Sequence, residues 1–208
     1  MNKLIIIILT TLSSTIFAQD YDAKKILDKL SNKTKSYENI KINFNFILEN
    51  QSQNIKESQK GTLILAKEKF KLTMNNQIII NDGETQWIYL ADVNEVQIIE
   101  HDPDDQMMTP NKIFTIYEEG YKYKYINQQN ITGEITHNID LFPEESLDFI
   151  RINIAINDAR SELERITIYD KNGGSYTYIV QKLESNNKLP EFIFNAAEFP
   201  GVEIIDLR

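Results

Sequence analysis

The segment Ile78-Ile79-Ile80-Asn81-Asp82-Gly83-Glu84-Thr85-Gln86-Trp87-Ile88-Tyr89-Leu90 constrains the fold more than any other stretch of the chain. β-Branched residues lead into Asn-Asp-Gly, and an aromatic run carrying the only Trp leads out. Asp-Gly tolerates the positive φ angles of a tight turn, and β-branched and aromatic side chains suit a pleated surface. Two antiparallel strands joined by a hairpin are therefore expected here. A hairpin leaves two unpaired edges, so the flanking sequence must supply further strands.

It does so on both sides. Ile40, Ile42, Phe44, Phe46 and Leu48 recur with period two against Lys41, Asn43 and Asn45, the pattern of a strand with one buried face. The polar stretch Glu49 to Lys60 reads as a long hairpin loop. Strands are expected over Thr62–Ala66 and Phe70–Met74, with Lys67-Glu68 as the turn between them, and over Glu95–Ile99. Tyr121, Tyr123 and Tyr125 alternate with Lys122 and Lys124 and start another. Ile135–Phe142, Phe149–Ile156, Leu163–Tyr169, Tyr176–Leu183, Phe192–Asn195 and Val202–Ile205 complete a set of about eleven strands, with Asn172-Gly173-Gly174 as a hairpin turn.

Two segments switch to helical spacing. Asp20 is a suitable N-cap for a helix that places Ala23, Ile26, Leu27 and Leu30 on one face and fades through Ser31-Asn32. Thr109-Pro110 opens a second, with Ile113, Phe114, Ile116 and Tyr117 forming its apolar face and Gly120 ending it. The fold class is thus mainly β (α+β): one long antiparallel sheet with helices lying across it, in a single domain without repeats or low-complexity linkers.

Lys3, the apolar run Leu4–Leu12 and the small residue Ala18 form a secretory signal peptide over residues 1–18, leaving 19–208 as the mature domain. The alternative is an uncleaved anchor, for which the apolar run falls short of the ~20 residues of a membrane span. Losing residues 1–18 removes Lys3 and no acid, taking the net charge from −9 to −10. That sign repels phosphate backbones and anionic lipid surfaces, so nucleic acid is not an expected partner. With no cysteine, the chain has no disulfide, thiolate ligand or lipidated cysteine of its own.

No catalytic constellation emerges. His101 and His137 stand far apart without a ligand partner at helical spacing and read as surface residues. Asp102, Asp104 and Asp105 lack the glycine and distal glutamate of a calcium loop. No Ser sits in a G-x-S-x-G elbow and no glycine-rich phosphate loop is present. An enzyme is not expected, nor a metal or cofactor.

Three stretches, in order, resemble the outer-membrane lipoprotein carrier (LolA) family of Gram-negative bacteria. They are Gly61-Thr62-Leu63-Ile64-Leu65 through Phe70-Lys71-Leu72; Ile79 to Tyr89 around the hairpin; and Phe192-Ile193-Phe194 followed by Gly201-Val202-Glu203-Ile204-Ile205-Asp206. The resemblance implies an incomplete antiparallel β-barrel whose concave apolar face is covered by helices acting as a lid. It implies a periplasmic, monomeric chaperone that carries the acyl chains of lipoproteins from the inner to the outer membrane. Its partners would be an inner-membrane ABC transporter and an outer-membrane acceptor. Burying an acyl chain of about sixteen carbons is worth on the order of 10 kcal/mol, so a carrier must hide the chain and still release it.

The cavity expected from this likeness draws Phe44 and Phe46 from one strand, Leu63 and Leu65 from the next, then Phe70 and Leu72, and Trp87 and Tyr89 from the central hairpin. The lid would contribute Ile113 and Phe114, and the adaptable thioethers of Met107 and Met108 precede it. The family commonly has an arginine in the turn after the Gly61 strand, where it tethers the lid. Lys67 stands there instead, keeping the charge but not the planar fork of donors. Two other readings remain: a carrier of another lipid for a dedicated exporter, and a protein-binding module with a filled interior. An apolar cavity above ~300 Å³ favours a carrier over the filled module.

Overall fold

The structure, a computed structural model, describes residues 15–100, 110, 112–131 and 133–208, and the side chains of all of these except 15–22 and 131. The strands are β1 (Ile40–Asn50), β2 (Ile55–Ala66), β3 (Lys69–Met74), β4 (Gln77–Asn81), β5 (Thr85–Leu90) and β6 (Glu95–Glu100), then β7 (Tyr121–Ile131), β8 (Glu134–Pro143), β9 (Phe149–Asn157), β10 (Glu162–Asp170), β11 (Gly174–Ser185) and β12 (Glu203–Asp206). They form one sheet of 12 strands in the order β12-β6-β5-β4-β3-β2-β1-β11-β10-β9-β8-β7. The two end strands, β12 and β7, do not pair, so the sheet is an open, incomplete barrel. Every pairing is antiparallel except β12 with β6, which is parallel.

The central hairpin forms as its sequence dictates. Gly83 adopts φ +101°, and the Asp82 carboxylate accepts hydrogen bonds from the Glu84 and Thr85 amides at 3.0 and 2.8 Å. Asn81 Oδ1 accepts from the Gly83 amide at 2.7 Å. The sheet's alternation follows from there. Directly opposed residues share a face, so the pairings Ile42–Leu63, Leu63–Leu72, Leu72–Ile79 and Ile79–Ile88 set an apolar row on the concave side. On the far half, Leu141, Ile152 and Ile168 continue the concave surface, as do Ile139, Ile154 and Ile166.

Helix α1 (Thr15–Lys35) lies on that surface against β7 and β10. Ala23 and Leu27 are fully buried and Leu30 nearly so, packed with the isoleucines of β8 to β10 in the one main core. The helix is longer than its sequence suggests: it starts before Asp20, which is therefore not its cap, and runs past Ser31-Asn32. Ser31 continues the helix because it is buried on the core side and bonded there. The signal-peptide reading falls largely outside the described residues.

The second helix is not an α-helix. Residues 112–120 form two short 3₁₀ turns, Lys112–Phe114 and Ile116–Glu118, and Thr109 lies outside the described residues. A 3₁₀ turn eclipses residues three apart, which drives both Phe114 and Tyr117 into the core. The β-branched Ile113, Thr115 and Ile116 disfavour an α-helix further.

Three other expectations change. The stretch Glu49–Lys60 is mostly strand with a turn at residues 51–54, because the β1–β2 ladder propagates past the core as polar cross-strand pairs such as Glu49–Lys56. Phe192–Asn195 is not a strand. It belongs to a segment crossing the outer face from β11 to β12, where Phe194 stacks on Phe199 and both pack against Tyr89. His137 is not a surface residue: its side chain is 12% exposed, its Nδ1 shares a hydrogen bond with the Tyr125 hydroxyl at 3.0 Å, and Asp158 lies 3.3 Å from Nε2.

Phe44 owes its position to a glycine. A Cβ at Gly61, its cross-strand partner, would collide with the Phe44 ring, so the ring lies across the glycine backbone and meets Tyr178 edge-on at 5.6 Å. Gly61→Val must push this ring off the sheet. It is expected to lower stability by about 1–3 kcal/mol in urea unfolding, as overpacking does. Combining it with Phe44→Leu should recover part of the loss; an additive double variant would disprove the collision.

Candidate functional site

The concave face does not pack solidly. Between the sheet and the first 3₁₀ turn lies an apolar cavity of about 160 Å³. Its floor is Ile42 and Phe44 of β1 with Leu63 of β2 and Leu72 of β3. Its wall is Leu163, Ile166 and Ile168 of β10 with Tyr178 and Val180 of β11. Pro110, Ile113 and Phe114 close it. The Tyr178 hydroxyl is the main polar group in this lining, and burial pushes its pKa up, so the phenol stays neutral. The surroundings suit hydrocarbon.

Of the residues singled out in the sequence, Phe44, Leu63, Leu72, Ile113 and Phe114 meet around this space. Leu65 and Phe70 oppose each other on the same concave face, one row further along, and are buried in the core. Phe46 lies beyond the opposite end and packs on Tyr178 at 5.1 Å. Trp87 and Tyr89 point the other way. Trp87 pairs with Ile80 and Tyr89 with Val96, on the convex side opposite Ile88, because strand parity turns alternate residues outward. Tyr89 instead holds the crossing C-terminal segment, with its hydroxyl donating to Asn94 Oδ1 at 3.1 Å. Met107, Met108, His101 and the acidic run lie outside the described residues.

The sequence reading missed the other wall. Leu163, Ile166, Ile168, Tyr178 and Val180 come from strands that it recognised. Their inward parity follows from the pairing of β10 and β11, which no local pattern reports. The cavity is also smaller than the ~300 Å³ that would by itself favour a carrier over a filled module.

Ile113 and Phe114 are held from above. The Tyr117 hydroxyl donates to Asp28 Oδ1 at 3.0 Å, the Ser31 hydroxyl to Glu118 Oε1 at 3.0 Å, and Lys35 pairs with Glu118 at 2.7 Å. Residues 112–118 are thus latched to α1. Lys67 takes no part: it sits exposed at φ +55° in the β2–β3 turn and makes no hydrogen bond or ion pair among the described residues. The Glu118 carboxyl is held below its ordinary pKa chiefly by the Lys35 hydrogen bond. Burial opposes the Asp28 charge, yet hydrogen bonds from Lys24 and Tyr117 outweigh it and also hold that carboxyl low.

A family model of the outer membrane lipoprotein carrier protein LolA matches residues 35–197. An outer-membrane lipoprotein carrier protein of Francisella philomiragia is 31% identical over 174 residues, covering 73% of this chain and 80% of that one. One of Legionella pneumophila strain Corby is 23% identical over 99% of both chains. Among solved structures, an uncharacterized conserved protein from Thermus thermophilus superposes with a TM-score of 0.53 at 11% identity, covering 89% of this chain and 99% of that one. That likeness is one of fold.

Because both latch carboxyls are lowered in the folded state, their stabilisation is complete above about pH 4.3 and is lost as pH falls through the lowered values. At pH 7 the latch is intact, and it can be cut by substitution. Tyr117→Phe and Lys35→Ala are each expected to raise the local opening constant of residues 112–118 by up to about fivefold in amide hydrogen exchange. Exchange in β8 and β9 should not change; a uniform increase across the sheet would mean that these groups support the whole fold and not the latch.

Proposed function

The chain belongs to the outer-membrane lipoprotein carrier (LolA) family, and from that premise we propose that it binds the acyl chains of lipoproteins on its concave face and carries them across the periplasm. The observation that carries this reading is where the apolar space lies and what covers it, not its size. The space lies on the inner face of an open sheet and is capped by a short non-sheet segment held by polar contacts. An ordinary core would be closed by the sheet or by a helix with a broad apolar stripe.

The energies are compatible with loading and release. Displacing Ile113 and Phe114 exposes two side chains worth about 1.5–3 kcal/mol each, and breaking the latch costs about 1–3 kcal/mol more. A sheltered sixteen-carbon chain returns on the order of 10 kcal/mol. Loading is favourable by a few kcal/mol and no more, which a carrier needs in order to release its cargo. In the resting state the 160 Å³ space is too small for such a chain, so Phe114 acts as a placeholder for the ligand. Phe44, Leu63 and Leu72 would form the floor that receives it. The chemistry of such a protein is binding and transfer; no bond is made or broken.

Export by a leader over residues 1–18 would put the protein in the compartment where this task exists. The donor and acceptor membranes would supply the transporter and the receptor that the family implies. Transport of another lipid by the same cavity is the second reading, since nothing in an apolar lining distinguishes a lipoprotein acyl chain from any other.

Native mass spectrometry of the protein purified from a lipoprotein-producing host separates these readings. Co-purified acylated peptide supports the lipoprotein carrier, and another lipid moves the assignment to that cargo. A clean apo mass with no uptake of an apolar fluorescent probe would remove both. In a companion experiment, Phe114→Ala should cost about 3 kcal/mol of stability and strengthen binding of the apolar probe severalfold. Weaker probe binding would show that Phe114 is a wall of the site and not its placeholder.

A further inference from the structure

The wall of the cavity is split. β10 and β11 pair only from Arg165–Ile179 to Tyr169–Ser175. Beyond that point Val180 and Lys182 to Ser185 pair with β1 alone, and Glu162 and Leu163 with β9 alone. The separation has a cause in each strand. β11 carries an extra residue, Gln181, against β1, and β10 an extra residue, Glu164, against β9. Two bulges at the same level bend the strands apart and end the ladder between them.

A cleft of about 460 Å³ opens from the convex side at this split. It is lined by outward-facing residues of β7 to β11 and by Arg160 of the β9–β10 turn, but also by Leu163, Val180 and Leu183, whose parity is inward. Leu163 and Val180 line the inner apolar cavity as well. Those two side chains thus face both the cavity and the outer cleft.

The rim carries an uncommitted cation. Arg160 is taken up by Glu134, Glu162 and Glu164, and Lys182 by Glu184 at 3.0 Å. Arg165 has no carboxylate within ion-pair distance among the described residues. Its Nη2 donates to Asn138 Oδ1 at 3.0 Å and, at 3.5 Å, to Asn153 Oδ1, while its Nε hydrogen is buried without a partner. In a chain with net charge −9, a guanidinium held only by amides is a conspicuous exception. A partly buried charge without a counter-ion is unfavourable unless something else supplies one.

We propose that the split between β10 and β11 is a lateral port into the cavity, and that it takes a single-chain anionic amphiphile. The alkyl chain passes between Leu163 and Val180, and the carboxylate or phosphate head sits on Arg165 at the outer rim. This rests on the reading of the cavity as a lipid site, and adds to it a second entrance, away from the latched segment, and a head-group preference. A single chain fits because the two bulges separate one pair of side chains; a diacyl head would have to part the paired region as well.

The test uses the purified protein and displacement of an apolar fluorescent probe by palmitate, by lysophosphatidic acid and by hexadecanol. Palmitate and lysophosphatidic acid separate a carboxylate from a phosphate source, and hexadecanol reports the cavity alone. Arg165→Gln is expected to weaken the anionic ligands about tenfold, the size of one charge-assisted contact, and to leave hexadecanol unchanged. Arg165→Lys should restore part of the loss. Equal weakening of all three, or none, overturns the port, while hexadecanol binding by the parent protein keeps the cavity reading intact; failure of the parent to bind any of them removes that reading instead. Should Arg165→Gln not fold, palmitate bearing a diazirine next to its carboxylate decides on the parent protein. Labels on residues 160–165 or 179–183 support the port, and labels confined to 110–118 overturn it.

Discussion

Because β12 and β7 never meet, no backbone hydrogen bond holds this sheet curled. The curl depends on side-chain packing across the concave face. Leu27 and Leu30 of α1 press on the isoleucines of β8 to β10, and Phe114 and Tyr117 fill the space beside them. A closed barrel would fix its radius through its strand number and stagger. An open one has a radius set by the side chains packed inside it.

The covering is uneven. α1 binds by apolar burial, the stronger and less reversible of the two attachments. Residues 112–118 are attached partly through Asp28, Ser31 and Lys35, in contacts worth a kcal/mol or so apiece and part-exposed. The sheet beneath has a continuous ladder on the β1–β3 side and is parted on the β10–β11 side, where two bulges coincide. Cover, floor and wall thus differ in how much work opens them, and the order follows from the bonds each one has.

Much of this was legible residue by residue. The Asn-Asp-Gly hairpin, the period-two run from Ile40 to Leu48 and the Ala23–Leu30 stripe each report a local rule, and each formed where that rule puts it. The cavity floor was legible for the same reason: Phe44, Leu63 and Leu72 sit on adjacent hairpin strands whose register is short-range. Trp87 and Tyr89 mislead because aromatic character says that a residue packs, while parity says on which side. The segment 112–120 misleads because its apolar spacing fits an α-helix and two 3₁₀ turns equally well. The choice was made by Phe114 and Tyr117 reaching one core together.

The sequence by itself determined that this chain is a one-sided antiparallel sheet with an amphipathic helix to cover it, since alternation, turn residues and helical spacing are properties of neighbours. It also carried enough likeness, from Gly61 to Asp206, to place the chain in its family. The tertiary structure alone decided which strands face each other across the cavity, how large that cavity is at rest, and that Lys67 stands apart while Asp28, Ser31 and Lys35 hold the cover. It alone decided that the β10–β11 ladder stops at Arg165. Those outcomes rest on contacts between residues far apart in the chain, whose strength comes from packing geometry and burial, and neither quantity is written in any local stretch.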